Sequence, residues 1–306
     1  MRTIKAKRFG GGSNIKQQIG QVIKGVAGVY WVKQQDCVVQ CAGRGKTKQL
    51  GAIFIGDYVE IITFNNGKGA IEKVLPRKNQ LVRPYVSNID VVLIVVAPVP
   101  KPDLLLVDKL LINCIENNIT PIVCINKMDI ATEEFVGEIK FNYDKLCQII
   151  CVSASTSGGI KELVETLKNK YVCLAGQSAV GKSSILNTIL GFTMQDVGEL
   201  SAKILRGKNT TRTVEIFDIG NNILMADTCG FSILEVPSIE PTKLSGYYFE
   251  FDKYAQMCKY LTCNHINEPK CAVKQAVENG EISRQRYERY VQLYNQIDDK
   301  WKKRYD

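Results

Sequence analysis

Long apolar runs are missing from this sequence. The longest, Val91 to Pro100, falls far short of the roughly 20 residues that a helical membrane span needs, so no membrane partner is expected. A signal peptide is missing too: residues 1–8 are basic but carry no apolar core, which makes the cytoplasm the expected compartment. Without export, the 11 cysteines are not a disulfide framework. Seven of them (Cys37, Cys41, Cys114, Cys124, Cys147, Cys151 and Cys173) sit in apolar or alternating runs, where a reduced thiol packs as a small hydrophobe. There is no internal repeat and no low-complexity tract, and histidine is nearly absent, His265 being the only one.

Charge is plentiful but uneven. Residues 1–75 carry 12 Lys and Arg against 4 Asp and Glu, which accounts for nearly all of the net +9. Such asymmetry points to a polyanion-binding module; a solvated basic surface that only aids solubility is the alternative. Within residues 1–75, short β-rich runs at 21–23, 28–32, 37–41 and 58–62 are separated by turn signals such as Gly56-Asp57 and Asn65-Asn66-Gly67. This spacing predicts a small barrel, of OB type or of the similar-looking SH3 type, and the OB type is the expectation. The loop holding Arg44, Lys46 and Lys48 lies where an OB barrel presents nucleic-acid contacts.

From about residue 80 strands and helices alternate. Strands are expected at 90–96, 120–125, 148–152, 171–175, 213–219 and 222–226, and helices at 104–117, 160–170 and 183–190. That pattern predicts a multi-domain chain whose centre is an α/β doubly wound sheet over 80–237. Residues 238–306 read as a helical, Tyr- and Lys-rich third domain.

Chemistry enters with Gly176-Gln177-Ser178-Ala179-Val180-Gly181-Lys182-Ser183, a G-x-x-x-x-G-K-[ST] phosphate loop followed by Ser184. Its glycines let backbone N–H groups surround phosphate oxygens at a helix N-terminus. Lys182 is expected to reach the β- and γ-phosphates, and the Ser183 hydroxyl to hold Mg²⁺. Asn126-Lys127-Met128-Asp129 names the base: a carboxylate at Asp129 pairs with two donors that guanine has and adenine lacks. That disfavours a phosphate-loop kinase or ATPase. Ser153-Ala154-Ser155 matches a second guanine-contacting loop. Asp227-Thr228-Cys229-Gly230 matches D-x-x-G, with Asp227 on a Mg²⁺-bound water and Gly230 sensing the γ-phosphate. One of Thr210 and Thr211, in the polar loop 207–212, is expected to complete the Mg²⁺ shell.

The order of these motifs is permuted. The base-reading segments at 126 and 153 precede the phosphate loop at 176, so the switch segments end the nucleotide domain and lead into residues 238–306. There, Cys258, Cys263, His265 and Cys271 form a complete tetrahedral donor set for structural zinc, the alternative being three reduced thiols beside an exposed imidazole.

Permuted order, a preceding β barrel and a Cys-Cys-His-Cys cluster together make the chain resemble the ribosome small-subunit-dependent GTPase family, RsgA, also called YjeQ. The resemblance covers essentially the whole chain. It implies an OB-fold at 1–75, a circularly permuted GTPase domain at 80–237 and a zinc domain at 238–306. It also implies binding to the small ribosomal subunit and its rRNA late in maturation, with GTP hydrolysed to GDP faster when bound, and a monomer is expected. Where the family commonly has arginine and histidine before two threonines, this chain has Lys208 and Asn209. Ala179 stands where glycine is frequent, and Cys229 where proline is frequent. Phe231 occupies the place of the water-orienting glutamine of Ras-like proteins, so hydrolysis needs help from elsewhere. The competing class is an RNA-binding assembly protein with a vestigial nucleotide site, which the intact Asp129, Lys182, Ser183 and Asp227 disfavour.

Overall fold

The computed structural model describes residues 17–34, 37–43, 52–82, 85–197, 215–227, 236–237 and 239–303. Strands β1 (Gln17–Val26), β2 (Val29–Lys33), β3 (Val38–Gly43), β4 (Tyr58–Thr63) and β5 (Lys68–Val74) follow the order 1-2-3-5-4. β4 closes the ring by pairing back onto β1, from Gln17↔Ile62 to Gln21↔Tyr58. β3 and β5 run parallel while the other pairs are antiparallel. This closed ring is the expected OB-type barrel. Its interior is filled by alternate residues: Val39 and Cys41 point inward while Val38, Gln40 and Ala42 are exposed. β5 had no counterpart among the expected strands.

A buried carboxylate fastens the barrel to the next stretch of chain. Asp57, with no exposed surface, accepts from Arg77 Nε at 2.7 Å and Nη2 at 2.8 Å, from Ser87 Oγ at 2.6 Å and from the Phe54 N–H at 2.8 Å. The Arg77 guanidinium also lies 4.0 Å over the Phe54 ring. Gly56, at φ +93°, is required here, because a Cβ would meet the Ser87 carbonyl oxygen at 2.2 Å. Ser87 closes the two-stranded hairpin β6 (Gln80–Val82) and β7 (Tyr85–Ser87) that leads into the central layer.

That layer contains β8 (Val91–Val96), β9 (Thr120–Ile125), β10 (Gln148–Cys151), β11 (Tyr171–Ala175), β12 (Glu215–Asp218) and β13 (Leu224–Asp227), in the order 10-9-8-11-13-12. All neighbours are parallel except β12 against β13. Every residue of β8 is buried because helices cover both faces. Val92, Ile94 and Val96 face α1 (Leu104–Glu116) and α2 (Glu133–Tyr143). Val91, Leu93 and Val95 face α3 (Ile160–Leu167) and α4 (Lys182–Val197). The doubly wound sheet is therefore as expected. α2 was not: only Ile139, Asn142 and Tyr143 are buried along it, so its apolar stripe is thin, and the Thr132 hydroxyl caps it by accepting from the Phe135 N–H at 3.2 Å. β13 begins at Leu224 rather than Asn222, because Gly220, Asn221 and Asn222 all take positive φ in the turn before it.

The remaining described residues include 3-10 turns at Pro241–Tyr247 and Phe249–Phe251, then α5 (Ala272–Glu278) and α6 (Arg284–Lys302). They pack around Leu244, Tyr248, Phe251, Val273, Tyr290, Leu293 and Ile297, together with Ile112 from α1. Beside Ile112's helix face, Asp108 is buried and ion-paired to Arg286 Nη1 at 2.8 Å and Arg289 Nε at 2.7 Å. The Tyr143 hydroxyl donates to the same carboxylate at 2.9 Å, and Glu250 pairs with the Nε of Arg286. Among the described residues, no helix is long and apolar enough to cross a membrane.

Asp108→Ala strands two guanidiniums in a buried site. It is expected to cost about 3–5 kcal/mol of stability, as a lowered urea midpoint, with Asp108→Asn losing less.

Candidate functional site

β11, buried along its length, delivers the chain to Gly176 at the C-terminal edge of the sheet, where ligands of open α/β sheets bind. Two glycines of the loop are forced by geometry. At φ +122°, a Cβ on Gly176 would lie 2.3 Å from the Val95 carbonyl oxygen; at φ +95°, one on Gly181 would lie 2.3 Å from Asn126 Nδ2. Ala179, the departure from glycine, nonetheless takes the left-handed region at φ +65°. The Lys182 ammonium curls over the loop, donating to the carbonyls of Gly176 at 2.8 Å and Gln177 at 2.6 Å. Ser178, Ser183 and Ser184 are exposed around it, with Val180 buried beneath.

The base-reading segments converge on this loop. Asn126, buried after β9, donates to the Val180 carbonyl at 2.9 Å and accepts from the Ala154 N–H at 3.2 Å. Three separated sequence motifs are thus locked by one amide. Lys127 donates to the carbonyls of Val99 at 2.7 Å and Ala179 at 3.0 Å. Met128 packs into the core on one side of its turn. Asp129 points the other way and is exposed. The Ser153 hydroxyl, donating at 2.6 Å, and then Asp129's own backbone N–H hold its carboxyl below the usual range. It therefore stands ionised and open to a ligand carrying donors.

Two supports had no counterpart in the sequence reading. The Thr188 hydroxyl on α4 donates to the Ala154 carbonyl at 3.0 Å, holding the second guanine loop. Gln177 Oε1 accepts from the Asp103 N–H at 3.0 Å, and Asp103 in turn caps α1. Register brings Asp227 to the same edge: Cys173 pairs with Ala226, so the backbone of Asp227 ends β13 beside the phosphate loop. The side chain of Asp227, with Thr210, Thr211 and Gly230, lies outside the described residues, as does the loop of Arg44, Lys46 and Lys48.

A second cluster lies in the C-terminal helices. Ligand atoms of Cys258, Cys263, His265 and Cys271 lie within 4.8 Å of one another, so the four could hold a metal ion. His265 Nδ1 is 3.4 Å from Cys271 Sγ and 3.6 Å from Cys258 Sγ, and those two sulfurs are 3.9 Å apart. His265 is buried, and desolvation lowers its pKa, keeping the imidazole neutral as a ligand must be. Burial pushes the Cys263 thiol up to about 12 and raises Cys271 as well, which a bound cation would reverse. The loop is braced from outside. Tyr287 and Tyr290 donate to the carbonyls of His265 at 2.7 Å and Asn264 at 2.5 Å. Glu268, unremarked in the sequence, accepts from the N–H groups of Asn264 at 2.8 Å and Ile266 at 2.9 Å.

Comparison with known proteins agrees with this layout. The family model "RsgA GTPase" matches residues 74–237, and "RsgA N-terminal domain" matches residues 19–71. The Alkaliphilus metalliredigens protein named small ribosomal subunit biogenesis GTPase RsgA is 40% identical over 284 residues, covering 91% of this chain and 97% of that one. Its namesake in Thermotoga neapolitana is 43% identical over 264 residues, covering 84% and 88%. The crystal structure of YjeQ from Thermotoga maritima superposes with a TM-score of 0.77 at 36% identity, over 92% of this chain and 99% of that one. YloQ, a circularly permuted GTPase, gives 0.73 at 31% identity, over 93% and 96%. With the barrel, the permuted nucleotide edge and near full-length likeness in agreement, the chain belongs to the RsgA GTPase family of GTP-hydrolysing enzymes.

Proposed function

We propose that this enzyme hydrolyses GTP in late maturation of the small ribosomal subunit, and that the subunit stimulates its turnover. The observation that carries the reading is Asp129, ionised and exposed beside a phosphate loop to which Asn126 binds it in one rigid unit. Near full-length likeness to relatives named for small-subunit biogenesis supports the choice of partner. The division follows the sequence: an RNA-binding barrel at 1–75, a permuted GTPase domain at 80–237 and a metal-binding helical domain at 238–306, in a cytoplasmic monomer.

In this reading Asp129 takes two hydrogen bonds from guanine, the Lys127 stem covers the base, and Ser153 and Ala154 line its edge. The backbone of 176–184 holds the phosphates and Lys182 binds between β and γ. Mg²⁺, brought with GTP, would be held by Ser183, Asp227 and a threonine of the pair Thr210 and Thr211, and neutralises charge developing on the phosphate oxygens. Gly230 senses the γ-phosphate. No side chain of this chain is assigned to orient water, Phe231 and Asn209 standing where candidates would be, which is why stimulation by the subunit belongs to the proposal.

The second site is assigned to structural zinc. A tetrahedron with Zn–S near 2.3 Å places sulfurs about 3.8 Å apart, and the Cys258–Cys271 separation is 3.9 Å. Four protein donors leave no open position, so the ion holds the fold of 238–306 rather than reacting.

Turnover of GTP measured with and without purified small subunits tests the function: a rise on adding subunits is expected, and equal rates would refute stimulation. Asp129→Asn should weaken GTP binding by roughly 100-fold or more and favour xanthosine triphosphate, whose edge carries the complementary group. Unchanged GTP affinity would remove Asp129 from the base site. Protein purified without chelators should hold about one zinc per chain, and Cys271→Ser should lose it together with stability of the C-terminal helices. Metal-free protein with an intact fold would sink the zinc assignment.

A further inference from the structure

Around Cys258, the first cysteine of the cluster, the chain exposes apolar side chains that the rest of the fold does not use. Met257 is 60% exposed, Tyr260 42% and Leu261 107%. A leucine fully in water contributes nothing to folding, and single cases are ordinary. Three within five residues, on a braced turn, are less so. The turn is held by the Met257 N–H on the Tyr254 carbonyl at 2.9 Å and the Cys263 N–H on the Tyr260 carbonyl at 3.3 Å. The tyrosine hydroxyls of α6 fix the backbone just beyond it.

The charge around this tip is mostly positive. Residues 253–270 carry Lys253, Lys259 and Lys270 against one acid, Glu268, whose carboxylate is turned onto backbone N–H groups. Lys259 Nζ sits 5.4 Å over the Tyr260 ring. Beside the tip opens a cavity of about 580 Å³, lined by Lys253, Tyr254, Met257 and Lys270 and by Gln275 and Asn279, whose amides donate to Asn279 Oδ1 and Glu281 Oε1, both at 3.3 Å. Its acid, Glu281, is engaged by the Tyr254 hydroxyl at 2.6 Å.

Apolar side chains beside aromatic rings and within reach of lysines are what an unstacked nucleotide binds. We propose that the 257–261 turn is an RNA wedge, resting on the small-subunit reading above. Leu261 packs against a base step of the subunit's RNA, and an unpaired base enters the cavity beside Met257 and Tyr254. Lys253 and Lys270 take the flanking phosphates. A protein partner would need an acidic rim around an apolar groove; the lysine-lined cavity has no role in that case.

The full-length, metal-loaded protein tests this, with a photo-crosslinking amino acid at position 261 and purified small subunits. Crosslinks to RNA are expected; crosslinks confined to ribosomal proteins overturn the wedge. Leu261→Ser and Met257→Ser should each weaken small-subunit binding by roughly tenfold, the worth of one stacked base. GTP affinity and bound metal should stay as in the wild type. Lys253→Glu should lower the salt dependence of binding by about one unit of slope. Wild type that binds subunits, with both apolar variants binding equally well, overturns the wedge alone. Wild type that binds no subunits overturns the functional reading beneath it.

Discussion

Asp108 is a carboxylate on the middle of a helix, taken almost completely out of water and surrounded by Arg286, Arg289 and Tyr143. Burying such a group is costly, and attraction repays the cost only while every partner stays in place. The arrangement therefore ties α1 and α2 of the nucleotide domain to α6 of the C-terminal helices as one unit. The guanidinium of Arg286 also lies over the rings of Tyr143 and Tyr248, at 5.2 Å and 4.6 Å, so its flat faces are covered as well as its edges. Helix α1 carries this junction at one turn and touches the phosphate loop at its cap, through Asp103 and Gln177. The two sites of the molecule are thus attached to a single short helix, one at its cap and the other through Asp108, five residues on.

The barrel is joined to the nucleotide domain by a different device. β1 leaves its pairing with β4 at Gln21, shifts register between Val22 and Lys24, and there meets β12 through Lys24↔Glu215. A bulge of this kind re-aims a strand, and here it merges barrel and central sheet into one eleven-stranded sheet. Lys33 forms an ion pair with Asp218 across the same seam. The sequence suggested coupling of the switch segments to the C-terminal helices. The hairpin between those segments lies against the barrel as well.

How much of the molecule could be read from its sequence depends on what each residue is asked to do. β8, β9 and β11 are buried on both faces, so they read as uninterrupted apolar runs and were located to within a residue. The phosphate loop and Asn126 to Asp129 announce themselves because each position has a separate chemical duty. α2 did not, since a helix resting on three buried residues with Gly137 inside it has little periodicity. β5 also escaped: it opens with Lys68 and Gly69, and Glu72 and Lys73 follow each other in it, so its sequence does not alternate cleanly. Asp57 with Arg77, and Asp108 with Arg286, are pairings across 20 and 178 residues. Polar residues spaced so widely look like surface charge until folding brings them together.

Permutation gives the nucleotide domain an unusual exit. In this order β13 ends at Asp227 beside the phosphate loop, and the next described residue is Val236, nine positions on. Val236 is already committed to the C-terminal helices, its carbonyl accepting from Lys300 Nζ at 3.1 Å, and Ile239 is buried in their core. The described residues on either side of the D-x-x-G motif are therefore both fixed. One end is a strand beside the phosphate loop; the other is a helix packed on α1. Asp108 holds α6 to α1, so this far end is fixed to the same packed unit as Cys258, Cys263, His265 and Cys271.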